Sequence, residues 1–323
     1  MACKTIDSYT KECITECLQL NYPQFELVVL PDYAENSPDE RVRVIPTGPV
    51  KPSDKRNIGV DHAKGEVIAF IDGDAYPDRD WLKNSLRYFE DPNVSAVGGP
   101  GLTPETDSTM QKASGEILSS FLGAGPLSFR HSARLARKCD DLPTVNLIVR
   151  RSTFKEMGGF NSAYWPGEDT KFCLDLVHGL RKEALYAPDV IVYHHRRLLF
   201  RPHLKQIAGY GLHRGYFSKK FPETSRRPLY FVPSILVLGL PAILLLSYLD
   251  EGVRLLSLLP VIMYLVLIAV GAVIIGFRRR SPNLVGPVFL GAVATHVWYG
   301  TFFLRGLLSR KIDTPSASYK SNI

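Results

Sequence analysis

The chain has 323 residues, a formal net charge of +7, and 45% hydrophobic against 22% charged residues. That composition excludes a disordered chain, and the length allows one large domain or two modest ones without disulfide or metal staples. The positive charge is no nucleic-acid signature, because residues 1–195 are net −6 and residues 196–323 are net +13, so the larger part of the chain is acidic.

Residues 1–20 are polar, so no cleavable signal sequence is expected there. Residues 7–20 predict a helix, capped by Asp7 or Ser8, with Ile14, Cys17 and Leu18 on one face. Residues 25–30 (FELVVL) read as a buried strand, 41–45 as a weaker one, 57–64 as a short helix ending at Gly65, and 66–71 (EVIAFI) as the clearest strand. A helix over 80–88 and a strand over 94–97 follow. Residues 103–138 are rich in Gly and Ser and only loosely periodic, the pattern of a mobile insert over a site. A strand over 144–150, helices over 152–157 and 167–179, and a strand over 190–193 complete this part. The β/α alternation predicts an α/β domain with a mainly parallel sheet, in which ligands bind beyond the carboxyl ends of the strands. Cys3, Cys13, Cys17, Cys139 and Cys173 fit free thiols in a reducing compartment. Cys13 and Cys17 share a helix face, but no second Cys or His pair is placed to complete a zinc site.

Three uncharged apolar runs follow, at 229–249, 255–277 and 284–304, each long enough to cross a hydrocarbon core about 30 Å thick. The stretch 196–227 holds nine Lys and Arg against one acid, Glu223, which places that side, and with it residues 1–195, in the cytoplasm of a multi-pass plasma-membrane protein. Loop 250–254 is short and nearly neutral and suits the outside; Arg278, Arg279 and Arg280 suit the inside. Arg305, Arg310 and Lys311 then conflict with a third crossing, unless run 284–304, which contains His296, is re-entrant or interfacial. The expected plan is a domain at 1–195, a basic amphipathic juxtamembrane segment at 196–228, an anchor of two or three transmembrane helices at 229–308 and a polar tail at 309–323.

Asp72-Gly73-Asp74 follows directly on the strand EVIAFI. Two carboxylates at a strand end suit a hard divalent cation that holds a diphosphate, although Asp and Gly are also ordinary turn residues. Glu168-Asp169 opens a helix, where acids are favoured by the macrodipole.

The run from Lys55 to Leu82, KRNIGVDHAKGEVIAFIDGDAYPDRDWL, resembles the family-2 glycosyltransferases of GT-A fold, in a membrane-anchored bacterial or archaeal form. Three further blocks stand in that family's order: Arg150-Arg151-x-x-Phe154 with Gly158-Gly159-Phe160-Asn161, then Gly167-Glu168-Asp169, then Pro188-Asp189-Val190 through His194-His195. The resemblance implies an inverting transfer of a sugar from a nucleotide-diphosphate sugar to a lipid-linked or membrane-proximal acceptor in cell-surface glycan synthesis. It implies Mg2+ or Mn2+ held by Asp72 and Asp74, with His194 as a candidate third ligand. It makes Asp169 the base, beside Glu168, and gives Asp32, Arg56 and Asn57 to the nucleotide and diphosphate. Arg214 is a candidate clamp for a donor or lipid phosphate, set against a plain juxtamembrane role. The Gln-x-x-Arg-Trp of processive members is absent around Gln206 and Arg214, which argues against a processive synthase. The strand that opens the family's fold is expected to be missing ahead of Met1-Ala2-Cys3-Lys4-Thr5. That departure motivates an alternative, a non-catalytic membrane-bound sugar-nucleotide binder or partner subunit. Gly98-Gly99-Pro100-Gly101 lacks the spacing of a dinucleotide fingerprint.

Overall fold

The computed structural model describes residues 1–249 and 254–312, apart from the side chains of Leu249, Arg254 and Leu255. Nearly all of the expected outer loop and most of the expected tail lie outside the described residues. In chain order the elements are α1 (Ser8–Cys17), β1 (Leu27–Val29), β2 (Val42–Val44), α2 (Pro52–His62), β3 (Val67–Ile71), β4 (Ala75–Pro77), α3 (Trp81–Arg87), β5 (Val94–Gly98), β6 (Gly101–Leu102), α4 (Thr109–Ser119), α5 (Phe121–Ala124), β7 (Arg137–Lys138), β8 (Asn146–Arg150), α6 (Arg151–Glu156), α7 (Glu168–Leu174), β9 (Glu183–Tyr186), β10 (Val192–His194), α8 (Arg201–Lys220), α9 (Pro222–Ser225), α10 (Val232–Leu249), α11 (Arg254–Arg278) and α12 (Val285–Leu308). The chain divides into two compact units. Met1–Pro104 and Phe129–His195 form the first; Glu105–Ser128 and Arg196–Ile312 form the second.

In the first unit, α1 starts where the Asp7 carboxylate accepts the backbone N–H of Thr10, and it buries Thr10, Cys13, Ile14 and Cys17. The principal sheet has the order β3-β8-β5-β9-β7. Strand β8 is antiparallel to both β3 and β5, β5 is parallel to β9, and β7 is antiparallel to β9. The domain is α/β as expected, but this sheet is mixed rather than mainly parallel. An apolar run reports burial on both faces and carries no information on direction. Here β8 enters after the long excursion at 105–128 and not from a β-α-β crossover, so nothing forces it parallel. A second sheet has the order β4-β10-β6, with β10 antiparallel to β4 and parallel to β6. Ala2 makes isolated parallel bridges to Leu30 and to Asp72, between the ends of β1 and β3.

Val29, Trp81, Val97, Ile148, Val190 and Val192 belong to the core of this unit. Its buried polar group is satisfied: Trp81 Nε1 donates to Asn146 Oδ1 at 2.9 Å, and Asn146 Nδ2 donates to the Val190 carbonyl at 2.7 Å.

In the second unit, residues 109–119 are not a mobile loop but α4, opened by a reciprocal capping box between Ser108 and Gln111. Two helices are long and apolar enough to cross a membrane, Leu256–Arg278 and Pro282–Leu308; the first apolar run forms the shorter helix Val232–Tyr248. Helix α8 packs on α12 through small residues. A Cβ at Gly215 would lie 2.0 Å from the Phe303 carbonyl oxygen, and one at Gly306 would lie 2.0 Å from the Leu212 carbonyl oxygen. His203, fully buried on α8, bonds Ser114 of α4 at 2.7 Å through Nδ1 and Thr295 of α12 at 2.9 Å through Nε2.

Candidate active site

The site lies in the first unit, where α2 meets the ends of β1 and β3. Helix α2 turns two buried cations, Lys55 and Arg56, toward those ends. Lys55 Nζ donates to Asp32 Oδ1 at 2.5 Å, to the Cys3 carbonyl at 2.7 Å and to the Leu30 carbonyl at 3.2 Å. Arg56 is the centre of the cluster. Its Nη2 donates to Asp72 Oδ1 at 2.7 Å and its Nη1 to Glu168 Oε1 at 3.0 Å. One planar cation thus joins the acid after β3 to the acid that opens α7, two segments far apart in sequence.

Asp74, two residues on, lies 3.3 Å from His194 Nε2 through its Oδ1. The register explains the pairing: β4 runs antiparallel to β10 with His194 opposite Ala75. By chemistry, one carboxylate and one imidazole would fit a divalent cation as part of its ligand set, an imidazole being more usual toward Mn2+ than toward Mg2+. Among the described residues no group of three or more His, Cys, Asp and Glu comes together as a complete metal site, and Asp72, expected as a metal ligand, pairs with Arg56 at 2.7 Å.

Glu168 is buried, and Asp169 beside it is half-buried. Burial first, and then the neighbouring Asp169 charge, push the Glu168 carboxyl up to about 7 against the pull of Arg56. Burial and then the Asp141 charge likewise raise Asp169, opposed by Arg130, the Thr170 N–H and Arg56. Asp141 is itself buried; it pairs with Arg130 at 2.7 Å and accepts from Thr170 Oγ1 at 3.0 Å. Asp169 therefore combines partial exposure with raised basicity, the two properties a general base requires.

The structure thus joins Asp72 and Glu168, with Asp169 beside it, around Arg56, and pairs Asp32 with Lys55 and Asp74 with His194, all within the first unit. Two expected site residues take other tasks. Asn57 spends both ends of its amide on Phe160, accepting from its N–H at 2.9 Å and donating to its carbonyl at 3.2 Å. It latches the Gly158-Gly159 turn, where a Cβ at Gly159 (φ +71°) would lie 2.6 Å from Asn57 Oδ1. Arg214 belongs to the second unit, where it donates to Ser225 Oγ at 3.1 Å and stacks over Tyr230 at 5.0 Å. Sequence reasoning missed Lys55, although it stands in the KRN block, and missed Arg130, Asp141 and Thr170, which lie in no recognisable motif.

Residues 3–158 match the glycosyl transferase family 2 domain; Glu168, Asp169 and His194 lie beyond the matched residues. Over 162 residues the chain is 30% identical to the pre-mycofactocin glycosyltransferase of Mycobacterium tuberculosis (strain CDC 1551 / Oshkosh), covering 50% of this chain and 33% of that protein. Over 223 residues it is 26% identical to the dolichyl N-acetyl-alpha-D-glucosaminyl phosphate 3-beta-D-2,3-diacetamido-2,3-dideoxy-beta-D-glucuronosyltransferase of Methanococcus voltae, covering 62% of this chain and 64% of that protein. The chain therefore spans from one third to just under two thirds of the length of these curated relatives. Among solved structures, the mannosyltransferase PcManGT from Pyrobaculum calidifontis, in complex with GDP-Man and Mn2+, superposes with a TM-score of 0.55 at 16% identity, over 96% of this chain and 86% of that one. That likeness is one of fold, a mixed α/β arrangement of GT-A type.

Proposed function

We propose, for a chain that is a family-2 glycosyltransferase by its domain at residues 3–158, that it moves one sugar, with inversion, from a nucleotide-diphosphate sugar to a lipid-linked or membrane-proximal acceptor in cell-surface glycan synthesis. The observation that carries this reading is the Arg56 bridge, which brings Asp72 and Glu168 to one guanidinium and so sets the strand-end acids beside the helix-start acids. In this reading Asp169 takes the proton of the acceptor hydroxyl as its oxygen bonds to the sugar C1 and the bond from C1 to the diphosphate breaks. Asp74 and His194 would hold a Mn2+ or Mg2+ ion, which when bound would supply positive charge to the leaving diphosphate. Arg56 keeps Asp72 and Glu168 in place, and Asp32, positioned by Lys55, faces the nucleotide.

The membrane assignment rests on α11 and α12, with α10 as a third apolar helix. Leu267, Val270, Ile274 and Phe277 of α11 are all half-exposed or more, as side chains facing lipid would be. The charge split between the two parts of the sequence favours a multi-pass plasma-membrane protein with its acidic domain on the cytoplasmic side. The name of the Methanococcus voltae relative includes a dolichyl-phosphate-linked sugar, which supports a lipid-linked acceptor here.

The test is donor turnover by the full chain in detergent or nanodiscs with Mn2+. Asp74→Ala and Asp169→Asn are each expected to lower kcat by about 10²–10⁴-fold. Unchanged turnover in both would overturn the reading. Metal-dependent donor binding without turnover in the unmodified chain would favour a non-catalytic binder or partner subunit.

A further inference from the structure

Residues 105–128 leave the first unit after β6 and rejoin it before β7, yet they belong to the second unit. Ala113 and Ile117 of α4 share one apolar cluster with Ile268 and Ala272 of α11 and with Val288 and Ala292 of α12. Two glycines make the room: a Cβ at Gly271 would lie 2.8 Å from Leu122 Cδ1, and one at Gly291 would lie 2.6 Å from Ile117 Cδ1.

The two ends of the excursion differ in chemistry. At the charged end of α11, Arg279 donates to Glu116 at 2.6 Å and to Glu105 at 3.3 Å. At the far end, the Leu122 carbonyl is bonded by the ring of His296, which also bonds the Tyr264 hydroxyl. At 1.5 Å per residue, Gly271 lies about 12 Å along α11 from Arg279, and His296 about 17 Å along α12 from Val285. Half the thickness of a hydrocarbon core is about 15 Å.

The local hydrogen bonding fits that depth. Ser120 Oγ donates to the Ile117 carbonyl and accepts from the Gly123 N–H, and Ser119 Oγ donates to the Glu116 carbonyl. These side chains satisfy backbone groups of the turn that hydrocarbon could not. At this same place Phe121 stands 58% exposed.

We propose that residues 105–128 are a re-entrant element of the bilayer, with Phe121 among the lipid acyl chains. The insertion rests on the reading of α11 and α12 as membrane spans. It adds a further contact of the chain with lipid, made by a segment that sequence order places inside the glycosyltransferase domain.

The test uses the full chain in phosphatidylcholine–phosphatidylglycerol vesicles, with Cys3 and Cys139 changed to serine and the buried Cys13, Cys17 and Cys173 kept. A nitroxide is placed at Phe121→Cys, at Val266→Cys on the exposed face of α11 and at Lys112→Cys, and relaxation by oxygen is compared with relaxation by a water-soluble nickel chelate. The oxygen-to-nickel ratio at 121 is expected within about twofold of that at 266 and about tenfold above that at 112, as oxygen concentrates in hydrocarbon and the chelate is excluded. A ratio at 121 equal to that at 112, with 266 lipid-like, overturns the insertion and leaves the spans standing. A water-like ratio at 266 overturns the spans and the insertion together. Unmodified protein gives a second measurement: a lipophilic carbene precursor should label the tryptic peptide 113–130 as it labels 255–278, and labelling of 255–278 alone overturns the proposal.

Discussion

Arg56 holds two carboxylates with one guanidinium, and that geometry decides how the site responds to pH. Both Glu168 and Asp169 are raised, mainly by burial, and Arg56 pulls both down. A base must be ionised to work, so the acid limb of kcat/KM should lie above the range of an ordinary aspartate. Arg56→Gln removes a counter-charge and should move the limb to still higher pH, with kcat lower by about 10–100-fold; pH–rate profiles of both proteins check it, and a limb that stays or falls counts against the arrangement. His203 gives a stability prediction of its own. Burial lowers it to about 4 from 6.5, so between those values the unfolded chain takes up a proton that the folded chain does not. Stability is therefore complete above about pH 6.5 and is lost as pH falls toward 4, by up to about 3 kcal/mol. Thermal unfolding of His203→Gln should show a shallower decline across that window than the unmodified protein. At this scale the motif blocks pointed to Glu168 and Asp169, which lie beside Arg56, and to Asp74 and His194, which pair with each other. They also named Asn57, whose amide bonds Phe160; a side chain held by a neighbouring turn looks the same in sequence as one aimed at a ligand. Asp141 gave no signal, since a buried acid behind a base has no fixed spacing from it.

Helix α8 is basic and was expected to lie as a juxtamembrane segment, but its glycines show a second face. Gly211 and Gly215 stand one turn apart against α12, where Cβ atoms would meet the Tyr299 and Phe303 carbonyl oxygens at 2.7 and 2.0 Å, the small-residue packing of close helix pairs. A Cβ at Gly209, on the same helix, would meet nothing within 4 Å. Gly215→Ala should therefore cost about 2–4 kcal/mol, whereas Gly209→Ala should add about 0.5–1 kcal/mol by restricting the unfolded chain. Equal effects of the two on thermal unfolding in detergent would refute this account of the packing. Elements with a strong period were legible: α1, β3 and α3 fall within a few residues of their expected bounds. Strands β4, β6 and β7 are two or three residues long and carry no readable alternation. Helix α4 was readable from its box, Ser108-x-x-Gln111, but the Gly and Ser around it concealed an apolar face that only the helices of its own unit complete.

For the molecule as a whole, the uneven charge and the near-zero mean hydropathy of −0.02 come from averaging an acidic α/β unit with a basic, apolar one. If α11 and α12 cross the bilayer, alkaline carbonate should leave the protein in the membrane pellet and high salt should not release it; release by either would show that charge alone holds it there. A sequence split is a single cut, whereas this chain passes between its units three times within the described residues, at Pro104, Ser128 and His195. That threading sets a timetable for synthesis. The apolar side of α4, Ile117 above all, emerges from the ribosome well before Gly291, the residue whose missing side chain makes room for it. At about 5–20 residues per second the wait is roughly 10–35 seconds. During it an amphipathic helix stands without its partners while the strands after it, β7 to β10, are still being made. Biogenesis of this chain thus calls for something to shelter α4 in the interval, the nascent membrane surface or a chaperone, and a slowed ribosome lengthens the exposure in proportion.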